Sequence, residues 1–332
     1  MSSVVELAEG GLEEHRAALT GYCYRMLGSV FEAEDAVQET MLRAWRALDR
    51  YEGRAALRTW LFSIATNVCL DMLRGKGRRV MPIDLGRSWP ATAEPAVGLP
   101  ERVWVEPVPD SRVLPDGDPG EVAAARDTIR LAFVAALQHL LPRQRAVLIL
   151  RDVLGWHAAE VAELLDTSVV AVKSTLQRAR ATLAERDPGA TGARSDPLQG
   201  EDRALVDRYV DAFERFDIEA LVALLHEDAT LSMPPHPLWV EGREQVRRWW
   251  YDHRAVCAGS RLVPVAANGS PAVAQFRPDG AGSVEAFALQ VLDVSDGRIR
   301  GVTAFLEPRL FPLFSPLPST PRDGRRPHLR PA

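Results

Sequence analysis

The stretch PRQRAVLILRDVLGWHAAEVAELLDTSVVAVKSTLQRARATLAER, from Pro142 to Arg186, decides how this chain is read. Its apolar residues predict three helices separated by two tight turns. Pro142 suits the first position of a helix, whose N–H has no partner within the helix, and Gly155 interrupts the pattern after Leu154. A short helix follows over about Ala158 to Leu165, and Asp166, Thr167 and Ser168 then form a turn. Ser168 is a suitable N-cap, because its hydroxyl accepts one of the unpaired backbone N–H groups of the helix that follows. On that helix Val169, Val172, Leu176, Ala179 and Leu183 recur at helical spacing as one apolar stripe. Lys173, Ser174, Gln177 and Arg178 face away from it. A short helix, a tight turn and a longer helix with a basic outer face make a helix-turn-helix, whose last helix fits a DNA major groove.

Composition limits what the rest can be. A chain of 332 residues holds two or three domains and can bury several cores. Its net charge of −5 excludes a surface coated uniformly with nucleic acid, so any DNA contact is local. Cys23, Cys69 and Cys257 lie far apart in apolar contexts. They read as small buried hydrophobes in a reducing compartment rather than as a disulfide framework or a metal site. No signal-peptide-like apolar region and no bilayer-length apolar run is present, so a cytoplasmic location without membrane contact is expected.

Three more helices are predicted ahead of this stretch. The first spans about Leu12 to Leu27, with Leu19, Tyr22, Cys23 and Met26 on one face, and Gly28-Ser29 ends it. The second, about Glu32 to Leu48, turns Ala33, Val37, Thr40, Ala44 and Leu48 inward and Glu32, Asp35, Gln38 and Glu39 outward. The third, about Leu57 to Arg74, buries Leu57, Leu61, Ile64, Val68 and Met72. Its opposite face carries Thr59, Ser63, Asn67 and Arg74, followed by Lys76, Arg78 and Arg79. Such a basic run serves either as a solvated helix end or as a nucleic-acid contact.

Two segments of this block carry a resemblance. AEDAVQETMLRAW (Ala33–Trp45) and RTWLFSIATNVCLDMLR (Arg58–Arg74) resemble the central motifs of sigma-70-type domain 2, and the helix-turn-helix is similar to sigma domain 4. Having these two domains is the pattern of the extracytoplasmic-function (ECF) sigma factors, and the resemblance covers roughly half the chain. It implies contact of Asp35, Gln38 and Glu39 with the coiled coil of the polymerase β′ subunit. It also implies capture of an unstacked base of the −10 promoter element by Tyr51 and Asn67, with Arg74 beside them. Reading a flipped base needs a stacking ring and an amide, which fits these residue types; a half-buried ring closing a helix–loop junction is the other reading of Tyr51. Lys173, Ser174, Gln177 and Arg178 match the face that reads the −35 element, and Arg or Lys to guanine and Gln to adenine are the pairings that major-groove geometry favours. Asp166 stands where that motif usually has glycine, and aspartate tolerates a left-handed turn.

Between the two sigma-like domains lies a Pro-rich segment that includes VWVEPVPDSRVLPDGDPGE, with eight acidic and three basic residues from Ile83 to Glu121. This composition predicts a largely extended linker. In sigma factors the corresponding linker threads a polymerase channel that otherwise carries RNA, and acidic charge suits such a channel. Trp104, Pro107, Pro109, Asp110 and Leu114 look like a short docking motif, expected to pack on the C-terminal domain.

After a polar stretch, Asp187 to Gly200, the pattern changes. Helices are predicted over Leu205–Phe216, Ile218–Leu225 and Arg243–Arg254, then strands over Arg261–Ala267, Ala272–Phe276, Val284–Val294 and Ile299–Phe305, with Asp296-Gly297 as a hairpin turn. Helices first and antiparallel strands after imply an α+β domain. YVDAFERFDIEALVALLHEDATLSMPP (Tyr209–Pro235) and DGRIRGVTAFLEP (Asp296–Pro308) resemble the SnoaL-like cone, a sheet curled around a pocket, which includes enzymes and non-catalytic binding modules. His226, Asp228, His236, Trp239, Asp252 and His253 are its candidate acid–base groups, but no spacing compels a dyad.

The expected architecture is multidomain: two all-α sigma domains, domain 2 (1–80) and a helix-turn-helix domain 4 (126–186), then an α+β SnoaL-like cone (201–310). A Pro-rich acidic linker (81–125), a second linker (187–200) and a disordered tail (311–332) complete it. The implied partners are the RNA polymerase core through its β′ and β subunits, promoter DNA, and a small molecule in the cone. No metal, cofactor or catalytic residue is expected. Two alternatives stay open: a helix-turn-helix regulator that never contacts polymerase, and a SnoaL-type enzyme fused to a DNA-binding module.

Overall fold

Two units divide the chain, residues 1–81 with 100–194 and residues 82–99 with 195–332. The structure, a computed structural model, describes residues 11–314 apart from 52, 54–55, 94–97, 101–102, 116–117, 187–199 and 281–282.

The first unit is helical. α1 (Arg16–Leu27), α2 (Val30–Ala47) and α3 (Leu57–Leu73) pack around Leu19, Tyr22, Met26, Val37, Leu61 and Phe62, all buried. Gly28 ends α1 in the left-handed conformation, and Ser29 caps α2 by accepting from the Glu32 N–H. Tyr22 meets Phe62 edge-on at 5.3 Å and shares a 2.7 Å hydrogen bond with Thr66, so the ring is buried with its hydroxyl partnered. α4 (Asp110–Val113), α5 (Pro119–Asp127) and α6 (Leu131–Leu137) lead to the helix-turn-helix. There α7 (Pro142–Leu148) continues as a π-helical turn over Ile149–Val153, followed by α8 (Ala158–Leu164) and α9 (Val169–Arg186).

The Pro-rich linker departs from its expectation. It is not simply extended: Trp104, Val105, Glu106 and Val108 are buried, and Trp104 forms a β-bridge with Val80. Arg79 donates to the Trp104 carbonyl at 2.7 Å, and Tyr24 Oη donates to the Glu106 carbonyl at 2.7 Å. The Glu106 carboxylate accepts from the Ser29 hydroxyl, with Arg79 3.9 Å away, so this buried charge is partnered. Trp104, Asp110 and Leu114 therefore belong to the helical unit, with Val113 against Gly21 of α1, and not to the C-terminal domain. The segment that packs on the C-terminal domain is 82–99 instead. There Trp89 N–H donates to the Trp239 carbonyl, Trp239 Nε1 donates to the Gly86 carbonyl, and Ala91 is buried in the domain's core. Burial of apolar side chains, which prolines do not prevent, accounts for both departures.

The second unit is a curved sheet with helices against it. α10 (Gly200–Glu214) and α11 (Ile218–Ala223) precede β1 (Leu225–Ser232) and β2 (Trp239–Glu241). α12 (Arg243–Asp252) and α13 (Arg254–Cys257) follow, then β3 (Arg261–Ala267), β4 (Ser270–Pro278), β5 (Val284–Ser295) and β6 (Arg298–Phe305). The strand order is β2-β1-β6-β5-β4-β3. β1 runs parallel to β6 and every other pair is antiparallel, so the sheet is mixed. Irregularities at Leu225/Thr230, Gln275/Phe276 and Asp293/Val294 bend the strands as bulges do. Asp296 and Gly297 both take positive φ at the β5–β6 hairpin, as their sequence predicts. Asn268 and Gly269 do the same between β3 and β4. Phe311, assigned above to the tail, is buried with Leu310 and Phe314 in a 3-10 helix over Pro308–Phe314. Residues 315–332 lie outside the described residues.

Candidate nucleic-acid interface

Each exposed face of the helical unit follows from what its helix buries. α2 turns Ala33, Ala36, Val37, Thr40 and Ala44 inward. Asp35, Gln38, Leu42 and Trp45 consequently share the opposite face, at spacings of three, four and three residues. Leu42 is 44% exposed and Trp45 62%. Glu39 lies beside this face, paired with Arg43 at 2.6 Å. Two large apolar side chains on a solvent-facing helix, flanked by carboxylates and an amide, form a surface suited to another helix.

Tyr51 closes the 3-10 turn Leu48–Arg50, donating its N–H to the Leu48 carbonyl at 3.0 Å. Its ring is half-buried against Trp60 of α3, with centroids 4.9 Å apart and planes 31° from parallel. The ring closes the junction and still presents part of its surface. Asn67 is exposed two turns further along α3, about 10 Å from Trp60 in helical rise. Arg74 caps the end of α3 in an exposed 3.0 Å pair with Asp71. Two rings and an amide on one side of α3 are what an unstacked base needs, a π-face and an edge partner.

In the helix-turn-helix, Asp166 holds the turn with φ +48°, and the Ser168 hydroxyl accepts from the Ala171 N–H at 3.1 Å. Val172, Leu176, Ala179 and Leu183 are buried, so Lys173, Ser174, Gln177 and Arg178 are exposed together on the other side of α9. Val169, at the first position of α9, departs from its assignment to the apolar stripe, being 38% exposed. Its neighbour Val170 is 76% exposed. Arg180 is held by a bidentate pair to Asp152, both contacts 2.7 Å, which fixes α9 against the π-turn. Among the described residues no ion pair involves Lys173.

A buried seam joins the two sets of helices. Arg145 of α7, 2% exposed, donates to the Met26 carbonyl of α1, to Gln138 Oε1 at 2.6 Å, and to the Gln138 and Leu140 carbonyls. Arg25 donates to the Thr128 carbonyl at 3.0 Å and its hydroxyl at 2.7 Å. Burial pushes both guanidinium groups down to about 10, still far above neutral, so both stay charged. Phe62 and Trp156 meet across the same seam at 5.5 Å.

The cone holds a cavity of about 140 Å³ among Tyr209, Phe213, Trp249, Trp250, Phe287 and neighbouring residues. Of the candidate acid–base residues only His236 and His253 line it. His226 and Asp228 lie on β1, where Asp228 is 87% exposed. Trp239 hydrogen-bonds the 82–99 segment, and Asp252 is 46% exposed beside Arg248. Among its lining residues no carboxylate faces the cavity, and the titratable bases there are His236 and His253. Among the described residues no cluster suits a metal ion, and no helix is long and apolar enough to cross a membrane.

Comparison with known proteins matches three segments of the chain to families. Residues 12–79 match the Sigma-70 region 2 family, 130–183 the Sigma-70 region 4 family, and 206–302 the SnoaL-like domain family. The ECF RNA polymerase sigma factor SigG of Mycobacterium tuberculosis is 47% identical over 308 residues, which cover 91% of this chain and 82% of that protein. This chain is an ECF RNA polymerase sigma factor. SigJ of the same organism is 32% identical over 220 residues, 66% of this chain and 62% of that protein. The crystal structure of SigJ shares the fold, with a TM-score of 0.60 over 94% of this chain and 99% of that one, at 24% identity. A sigma factor directs RNA polymerase to promoters, and in this one a SnoaL-like domain follows the two sigma domains. Leu42, Trp45, Trp60, Val170 and Arg145 are absent from the residues that sequence reasoning singled out. Only the exposure of Leu42, Trp45 and Val170, the contact of Trp60 with Tyr51 and the burial of Arg145 reveal them.

Proposed function

We propose that this sigma factor binds core polymerase through its β′ and β subunits, with α2 docking on the β′ coiled coil by Asp35, Gln38 and Glu39 around an apolar centre of Leu42 and Trp45. Tyr51 and Asn67 capture an unstacked base of the −10 element, with Arg74 at the backbone. Ser174, Gln177 and Arg178 read the −35 element in the major groove while Lys173 holds its phosphate backbone, and Val170 adds an apolar contact of the kind that suits a thymine methyl. The observation that carries this reading is that these side chains are exposed, Glu39 and Tyr51 partly, on faces whose opposite sides are buried. Binding energy opens the duplex, while polymerase performs the synthesis. The cone holds a small molecule and adjusts the activity of the sigma domains without chemistry of its own, as its cavity without carboxylates favours. Gel filtration with purified core tests the docking face. The full chain is expected to co-elute with core, and Leu42→Asp with Trp45→Asp to lose that association while keeping its helical circular-dichroism spectrum; undiminished co-elution of the double variant would overturn the assignment.

A further inference from the structure

The cavity and the 82–99 segment meet on one loop. Met233 and His236 form part of the cavity wall. Between them Pro234 accepts from the Leu306 N–H and Pro235 accepts from the Leu99 N–H, both at 2.8 Å. Gly98 lies so close to Pro235 that a Cβ there would come within 3.2 Å of its ring. Trp239, just past the loop, is hydrogen-bonded to Trp89 and Gly86 of the same segment. A four-residue turn thus has the cavity against its ends and the interdomain segment against its middle.

The lining states what the cavity accepts. It carries no Lys, Arg, Asp or Glu, and its titratable bases are His236 and His253, so a charged ligand would lose hydration without meeting a permanent counter-charge. Its volume of about 140 Å³ is close to that of a cavity that takes up a benzene-sized ring. Its polar groups form a neutral relay: Tyr209 Oη donates to Gln290 Oε1 at 2.7 Å, Gln290 Nε2 donates to Gln275 Oε1 at 2.7 Å, and Gln275 Nε2 donates to Ser260 at 3.0 Å. Gln290 therefore keeps a second N–H to offer. His253, stacked on Trp249 at 3.7 Å, lies 3.0 Å through Nδ1 from the Trp249 carbonyl. A carbonyl only accepts, so Nδ1 is the donor of this contact.

The geometry points to a sensor: an uncharged, ring-sized apolar molecule bearing one hydrogen-bonding oxygen binds this cavity, and the Met233–Leu238 loop transmits its presence to residues 82–99. This rests on the reading of the cone as a binding module and goes beyond it by naming the ligand class and the segment that responds. Residues 80–81 and 100–104, on either side of that segment, belong to the helical unit, so a change in its hold on the cone reaches the sigma domains through the chain itself.

The test uses the full chain with p-cresol, toluene and benzoate as probes, binding followed by titration calorimetry and the linker by amide hydrogen exchange. p-Cresol and toluene are expected to bind and benzoate not to. Gln290→Leu should weaken p-cresol about tenfold and leave toluene unchanged, which also reports an intact cavity. Val256→Trp, at the exposed rim, should abolish both. Saturation with p-cresol is expected to change exchange at Leu99 and Trp89 at least threefold. Absence of binding by either neutral probe, or benzoate binding as tightly as p-cresol, would overturn the binding reading together with this one. Saturable p-cresol binding with unchanged exchange at Leu99 and Trp89 would leave the cavity reading intact and overturn the sensor.

Discussion

Arg145 in the helical unit and Gln290 in the cone are both buried polar side chains hydrogen-bonded across elements, yet they are used in opposite ways. Arg145 directs four hydrogen bonds from its two terminal nitrogens to carbonyls and an amide of neighbouring helices, with Nε buried and without a hydrogen-bond partner, so the guanidinium is committed to the seam between the two sigma domains. Gln290 belongs to a neutral relay that lines an open cavity, with one N–H left over. On the proposed reading, function in the helical unit sits outside, on side chains that point away from the interior, and in the cone it sits inside, around the cavity. The same difference appears in the linker, whose Trp104 half completes the locked unit while its 82–99 half rests on the cone.

That contrast breaks most readily at the seam. Arg145→Ala leaves the Met26, Gln138 and Leu140 carbonyls unpartnered in the interior and should destabilise the helical unit by about 3–5 kcal/mol. Chemical denaturation followed by hydrogen exchange should show that loss in α1 and α7 and leave β4 and β5 unmoved. Trp104→Ala is expected to cost the same unit about 3 kcal/mol through the cavity it leaves, again without affecting the cone. Equal destabilisation of both units would mean that Trp104 belongs to neither alone. On the outer faces, where nothing is buried, substitution should spare stability and reduce binding. Gln177→Ala and Arg178→Ala should each weaken binding to the cognate −35 duplex by about 1–3 kcal/mol, with base preference relaxed at one position. Lys173→Ala should instead weaken all duplexes alike and lower the salt dependence by about one counterion. These effects are measurable by fluorescence anisotropy.

The smallest effect concerns pH. Burial raises the Glu32 carboxyl, but the hydrogen bond from Lys76 and the charge of Arg79 outweigh it and leave the value lowered from 4.5. A lowered folded value gives stability that is complete above the ordinary value and lost as the pH falls through the folded one. The difference in melting temperature between the wild type and Glu32→Gln should accordingly be constant above about pH 5 and shrink below it.

How far the sequence could be read varies with the kind of signal. The helix-turn-helix was legible to its turn residue, because apolar spacing, a capping serine and a tolerant aspartate are all local. The four later strands and the Asp296-Gly297 hairpin were legible for the same reason. β1 was not, since its Glu227 and Asp228 at an irregular pairing break the alternation and the preceding helical pattern runs on into Leu225. The linker misled because its apolar residues are spaced by prolines, with no period to indicate which surface they cover. On α2, periodicity separated inner from outer faces but gave no reason to expect Leu42 and Trp45 left uncovered. The cone's relay joins Tyr209 to Gln290, 81 residues away, and no local pattern announces such a pair.

The central claim is that two exposed faces of one locked helical unit read one promoter. In vitro transcription with purified core polymerase tests it most directly, on a promoter mapped from cells that overproduce this sigma factor. The full chain should yield a discrete transcript, and Asn67→Ala and Gln177→Ala should each reduce it at least fivefold on the native promoter without loss of core binding. A transcript independent of both substitutions, or none from any mapped promoter, would contradict the account.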